Sequence, residues 1–177
     1  KQVGDLYHGT RKGALLNILR TGKLQLTLAF SVPIEEKLQR GKAYFSSLTR
    51  SRFGAYHFKN PDKKSLREDT DVMITFDGTA LSNHFKIVPV DYWGSRGQDG
   101  SDNEIEERLI SNQPEVQVLR YIKRVDFIQP AIAGEIETYG FDKGKFKLVE
   151  NDRVSKLLGS VILQLKRRNI PYAFYHN

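Results

Sequence analysis

The sequence predicts an α+β fold, with two helices near its ends and a body of short strands between them. Apolar residues recur at helical spacing in 13–21 and 153–168, and the second segment is strongly amphipathic. The 177 residues suit one domain, 1–177, because no repeat or Pro/Gly/Ser-rich linker divides them. No GxGxxG follows a strand and no GxxxxGK[ST] occurs, so neither a Rossmann fold nor a P-loop is indicated.

Short apolar or alternating runs between turn residues predict the strands. Gly9 is expected to end the first strand, and Gly22 stands just past the end of the first helix. A short helix is predicted at 52–58, and the polar stretches 59–69 and 94–103 are predicted to be surface loops. Pro89 lacks a backbone N–H, which places its strand at an edge or a bulge. The predicted strands are 5–9, 43–47, 71–76, 85–92, 104–111, 118–127 and 132–136.

Composition limits the chemistry. The net charge is +7, with a pI near 9.5, so the surface attracts polyanions such as nucleic acids, acidic proteins and dinucleotides. The alternative is that the basic residues are simply solvated lysines without a polyanionic partner. The absence of cysteine excludes thiolate and disulfide chemistry and favours a cytoplasmic setting. The four histidines lack metal-ligand spacing, so no metal site is expected. No apolar run of about 18 residues or signal peptide appears, and no membrane partner is expected.

Three segments carry residue types suited to nucleotide chemistry. The first holds His8, Gly9 and Thr10, where glycine admits a ligand to the backbone and histidine can bond a ribose hydroxyl. The alternative is a plain strand-to-helix turn in which threonine starts the helix. The second segment is GKAYFSSLTRS, 41–51, followed by Tyr56. It supplies aromatic rings for a nicotinamide, hydroxyl groups for a carboxamide and Arg50 for a diphosphate. A strand followed by a hydroxyl-capped helix would explain it equally.

The third segment is DNEIEER, 102–108. In a strand, Glu104 and Glu106 share one face, whereas Glu107 lies on the other. Paired carboxylates beside a cleft can stabilise an oxocarbenium cation and orient a nucleophile. The alternative is a charged, solvated strand or helix start. A slip of one residue in register would exchange the candidates, and Glu106 is the favoured one.

In this order the three segments resemble the ADP-ribosyltransferase superfamily, in its His–Tyr–Glu branch of poly-ADP-ribose polymerases and diphtheria-type toxins. His8-Gly9-Thr10 is similar to the branch's HG[ST] motif, and GKAYFSSLTRS resembles its Gly-Lys-x-x-Tyr-Phe strand and the following Lys/Arg-Ser. Glu104-Ile105-Glu106 resembles the ExE turn of the arginine-modifying branch. The resemblance implies a domain with a split sheet, and it fits a toxin or phage effector as well as a housekeeping enzyme.

The resemblance implies that NAD is the substrate and that ADP-ribose passes to a protein or nucleic acid, or to water. Glu106 would stabilise positive charge at C1′, with Glu104 orienting the acceptor and Tyr44 stacking on the nicotinamide. The other residues implied to bind NAD are His8, Gly9, Thr10, Ser47, Arg50, Ser51 and Tyr56. Two alternatives remain open: an NAD-dependent RNA 2′-phosphotransferase, and a non-catalytic module that binds ADP-ribose or nucleic acid.

Overall fold

The structure, a computed structural model, describes residues 4–28, 44–50, 72–90, 106–128, 141–142, 145–146 and 153–175. These residues form a mixed α/β fold with a strand-rich sheet and three helices, which is consistent with the predicted α+β class. The helices are α1 (Lys12–Thr21), α2 (Gly78–His84) and α3 (Arg153–Arg167). The strands are β1 (Asp5–Thr10), β2 (Lys23–Gln25), β3 (Thr27–Leu28), β4 (Tyr44–Thr49), β5 (Val72–Asp77), β6 (Lys86–Val90), β7 (Glu106–Ser111), β8 (Glu115–Gln117), β9 (Ile122–Ile128), β10 (Phe141–Asp142), β11 (Lys145–Phe146) and β12 (Tyr172–Tyr175).

The main sheet runs in the order β12-β9-β5-β1-β4-β7-β6, with β3 paired to β4. Its ladders are antiparallel except β12–β9, which is parallel. Among the described strands, β6, which contains Pro89, is at one end of this order, in agreement with the predicted edge position. Among the described strands, β1 and β4 are paired at one position only, Tyr7 with Thr49, whereas β1 pairs with β5 at six. The sheet is therefore weakly joined between β1 and β4.

One face of the sheet is apolar and packs against α1 and α3. Leu6 on β1, Ile74 on β5 and Val125 on β9 are completely buried. They belong to one hydrophobic cluster with the inward-facing residues of both helices. Burying each such side chain stabilises the fold by about 1.5–3 kcal/mol. Because side chains alternate along a strand, the residues between them lie on the opposite face of the sheet.

The end of α1 follows its sequence signal. Gly22 has φ +79° and its N–H donates to the carbonyl of Ile18, which closes the helix in the left-handed conformation that glycine adopts without strain. At the other end the residue preceding the helix is Arg11, which makes no side-chain capping bond, and not Thr10. The interpretation in which threonine starts the helix is therefore wrong.

Several other expectations need correction. Gly9 does not end the first strand, because it pairs with Met73 of β5 and the strand continues to Thr10. The predicted strand 118–127 begins as a short 3-10 turn, Leu119–Tyr121, before β9. The helix α2 and the short strands β2, β3, β8, β10, β11 and β12 were not predicted. The predicted elements 52–58 and 132–136, and the predicted loops 59–69 and 94–103, lie outside the described residues. In the part of the chain that the structure describes, no helix is long and apolar enough to span a membrane.

Candidate functional site

The three segments singled out in the sequence lie on neighbouring strands. His8 is on β1, Ser47 is on β4 and Glu106 begins β7, with β4 between the other two strands. Thr49 of β4 is the partner of both Tyr7 and Glu106 in the two ladders. Residues separated by more than 90 positions in the chain are therefore brought together at the weakly joined part of the sheet.

The imidazole of His8 links β1 to β4. Its Nδ1 lies 2.9 Å from the carbonyl oxygen of Ser47. Burial lowers the pKa of His8, and the bond to Ser47 offsets this only in part. The ring is therefore neutral near pH 7. Because a carbonyl oxygen can only accept, Nδ1 must carry the proton, which leaves Nε2 as an acceptor for a hydroxyl group.

Glu106 is held by two donors at the same oxygen. Oγ of Ser47 donates to Oε1 of Glu106 at 2.7 Å, and Nε of Arg108 donates to the same atom at 2.9 Å. Oε2 takes neither of these bonds. The Glu106 side chain is 16% exposed, so its carboxylate is oriented by the protein and still reachable from solvent. His8 and Glu106 are thus both bonded to Ser47, His8 to its backbone carbonyl and Glu106 to its hydroxyl group. By strand alternation His8 shares the face of Leu6, so its ring and the Glu106 carboxylate approach Ser47 from opposite faces of the sheet.

Sequence reasoning did not identify Arg108. Its guanidinium carbon lies 4.3 Å from the centre of the Phe45 ring, and its side chain is 7% exposed. Arg108 and Glu106 are two positions apart on β7, so they share a face, and Ser47 is the direct ladder partner of Arg108. The spacing alone could have suggested the pair, but the contact with Phe45 depends on how β4 aligns with β7.

Glu107 lies on the opposite face of β7, as alternation predicts. It is 2% exposed and pairs with Arg50, whose Nε is 2.7 Å from Oε1 of Glu107. Burial raises the pKa of the Glu107 carboxyl, and the Arg50 guanidinium offsets this in part. Arg50, the candidate for a diphosphate, is therefore bound to a carboxylate and is not beside Glu106. Exposure favours Glu106 over Glu107 as a group that meets a ligand.

Some of the remaining candidate residues lie within the described residues and others lie outside them. Gly9 and Thr10 are half-buried in β1 next to His8, and Tyr44 is at the far end of β4. Tyr44 is three positions from Ser47, which places it on the other face of the strand; Phe45 is on the face of Glu106. The alternative for this segment is a strand followed by a hydroxyl-capped helix; its strand is present as β4, which continues to Thr49, and the residues that would form its helix lie outside the described residues. Likewise Glu106 is in a strand and starts no helix. Ser51, Tyr56 and Glu104 lie outside the described residues.

The described side chains contain no cluster of three His, Asp or Glu residues that could hold a metal ion. The chemistry available from this arrangement is that of an oriented carboxylate and a neutral imidazole with a fixed tautomer. No protein-family model matches the sequence, and comparison with curated proteins finds no significant match.

Proposed function

We propose that this chain is an NAD-dependent mono-ADP-ribosyltransferase that cleaves the bond between nicotinamide and ribose and transfers ADP-ribose to a macromolecular acceptor. The observation that carries the proposal is that His8 and Glu106 both bond to Ser47, His8 to its backbone carbonyl and Glu106 to its hydroxyl group. These bonds join the three sequence segments on which the resemblance to ADP-ribosyltransferases rests. Two of these residues present groups of the required kind, an acceptor for a ribose hydroxyl and a carboxylate for a cation.

The reaction needs little covalent participation by the protein. The bond between C1′ and the pyridinium nitrogen breaks, its electron pair leaves with neutral nicotinamide, and positive charge develops on the ribose. Glu106 would accept a bond from the ribose 2′-hydroxyl and stabilise this charge. The acceptor nucleophile then attacks C1′ and loses its proton. Electrostatic stabilisation aimed at the developing charge is commonly the largest contribution of an enzyme.

His8 and Gly9 would hold the two ends of the substrate. Nε2 of His8 would accept a hydrogen bond from a hydroxyl of the adenosine ribose. Nδ1 carries the proton that bonds to Ser47, so Nε2 of the neutral ring is unprotonated. The backbone of Gly9, next in the same strand, would bind the nicotinamide carboxamide. Tyr44 is a proposed stacking partner for nicotinamide, which requires the ring to reach the cleft from the other face of β4.

The deciding experiment measures nicotinamide released from NAD by the wild type and by Glu106→Gln, with Glu104→Gln alongside. Glu106→Gln is expected to lower the rate about a hundredfold or more, since a single group that stabilises the transition state typically contributes this much. Glu115→Gln is a matched control, because this glutamate on β8 pairs with Lys23 and Gln25 outside the site. Loss only in Glu104→Gln would keep the enzyme and move the catalytic carboxylate.

The same assay separates the alternatives. Turnover that requires a 2′-phosphorylated RNA would indicate a 2′-phosphotransferase. No release by the wild type, with or without DNA, RNA or cell lysate as acceptor, would leave a binding module as the better account. Labelled NAD with each acceptor then shows whether ADP-ribose is transferred to a macromolecule or to water.

A further inference from the structure

The net positive charge of the chain is concentrated on two helices. Residues 11–21 and 153–168 comprise α1 and α3 with the arginine beside each, and they hold eight of the 28 basic residues and none of the 21 acidic ones. The rest of the chain has 20 basic and 21 acidic residues and is nearly neutral. The charge of +7 is therefore a local property of these two helices.

The C-terminal ends of the two helices meet. Nε of Arg168, which follows α3, donates to the carbonyl of Leu19 in the last turn of α1 at 2.8 Å. Four exposed cations gather here, and we refer to them as the cationic corner: Arg20, Lys166, Arg167 and Arg168. Within the described residues, no ion pair joins any of the four to a carboxylate.

Helix dipoles account for only part of this arrangement. The C-terminal end of a helix carries the equivalent of about −0.5 charge, so two ends offset about one of the four cations. About three positive charges remain at the point where the two helix ends meet. A surface of this kind fits an anionic partner with several closely spaced charges.

The other residues of these helices indicate which polyanion fits. Neither 11–21 nor 153–168 contains an aromatic residue, so these two segments offer no ring on which an unpaired base could stack. Among the described side chains of α1 and α3, Leu163 is the one exposed large apolar residue, which is too little to enter a bilayer. The exposed amides of Asn17 and Asn169 are typical of groups that contact phosphates. We propose that the cationic corner binds the phosphate backbone of double-stranded nucleic acid without reading its sequence.

This surface is separate from the part of the candidate site that holds Glu106. The helices cover the face of the sheet that carries Leu6 and Ile74, whereas Glu106 and Ser47 are on the opposite face. Backbone binding at the corner therefore requires neither NAD nor Glu106. The assignment does not rest on the proposed reaction, and either proposal can fail while the other stands.

The first test is the salt dependence of duplex binding by the wild type, measured by fluorescence anisotropy with a 20-base-pair DNA. Four phosphate contacts predict a slope of about −3.6 for log K against log salt, and affinity in about the micromolar range near 20 mM salt. Raising the salt from 20 to 80 mM should then weaken binding about 150-fold. A second duplex of unrelated sequence should bind equally. A slope shallower than about −1 overturns the proposal.

The second test replaces the cations. The triple variant Arg20→Gln, Lys166→Gln and Arg167→Gln is expected to lose measurable binding at 20 mM salt, because the slope falls to about −0.9. Arg168 is kept, since it also bonds α1. Lys86→Gln is the matched control, because this exposed lysine is on β6 in register with Ile110, on the face of Arg108. Equal weakening by the control contradicts the assignment.

Two further comparisons test whether misfolding of the triple variant explains its loss of binding and whether another class of anionic partner binds more tightly. The charge-preserving pair Arg20→Lys and Arg167→Lys should retain the wild-type slope even if the triple variant is unstable. The proposal is overturned if the protein binds single-stranded DNA more tightly than duplex DNA. It is also overturned if the protein binds vesicles containing phosphatidylserine more tightly than duplex DNA. A duplex of RNA tests whether the same backbone chemistry is accepted in the A-form.

Discussion

The pair of Arg108 and Glu106 provides a test of how the candidate site is held together. We consider Arg108→Met, which keeps an unbranched chain of similar reach against Phe45 and removes the charge. The Arg108 side chain is 7% exposed, and its Nε donates to the carboxylate of Glu106, whose side chain is 16% exposed. After the substitution, that carboxylate retains the bond from Ser47 and loses its neighbouring cation.

The expected cost follows from these exposures. Breaking a buried ion pair by removing one partner typically costs about 3–5 kcal/mol, because the other charge stays buried without compensation. Glu106 keeps one hydrogen bond and some contact with water, so we expect the lower end, about 3 kcal/mol. In a chain of this size that corresponds to a fall in Tm of about 6–12 °C. Thermal unfolding followed by circular dichroism measures it.

The control is the double variant Arg108→Met with Glu106→Gln. A glutamine at this position can still accept from Ser47 and leaves no buried charge, so the double variant should be more stable than Arg108→Met alone. The coupling obtained from the cycle of single and double variants should be about 2–3 kcal/mol. If Arg108→Met lowers Tm by less than about 2 °C, or if the two substitutions are additive, Arg108 does not hold Glu106 as the geometry indicates.

Three further predictions test other parts of the structure. Burial lowers the pKa of His8, so the unfolded chain binds this proton more readily and the free energy of unfolding should fall as pH drops below about 6.5. In His8→Gln the free energy of unfolding by urea should change less between pH 7.5 and 5 than in the wild type. Parallel pH dependences of the two proteins would contradict this. Burial raises the pKa of Glu107 despite Arg50, so ionisation of this carboxyl opposes folding. Glu107→Gln should therefore have a Tm equal to or above that of the wild type at pH 7.5, and the gain should vanish near pH 4. A lower Tm of the variant at pH 7.5 would refute this prediction. Gly22→Ala places alanine in a left-handed conformation and its Cβ 2.5 Å from the Gln117 side chain, which should destabilise the fold by about 1–2 kcal/mol. Gly13→Ala, whose Cβ would meet open space, should instead stabilise the fold by about 0.5–1 kcal/mol. Equal effects of the two substitutions on Tm would contradict the left-handed conformation of Gly22.

The sequence by itself determined the elements whose signals are local. Apolar residues at helical spacing and Gly22 located α1 almost to the residue, and the same periodicity located α3. Alternation along 104–111 separated Glu106 from Glu107 before any partner strand was known. Pro89 marked an edge strand, because the missing N–H is a property of the residue itself. These features follow from covalent structure and from the periods of helix and strand.

Tertiary structure alone decided what depends on partners. Gly9 remains in a strand because β5 pairs with it along the whole of β1, although glycine weakens an isolated strand. The three-residue strand β2 exists through its pairing with β8, which lies 90 positions away in the chain. Arg50 binds Glu107, and Arg108 is placed between Phe45 and Glu106, because the register of β4 against β7 fixes which side chains meet. Such contacts join residues remote in sequence, and local pattern cannot specify them, because their energy arises only once the strands are aligned.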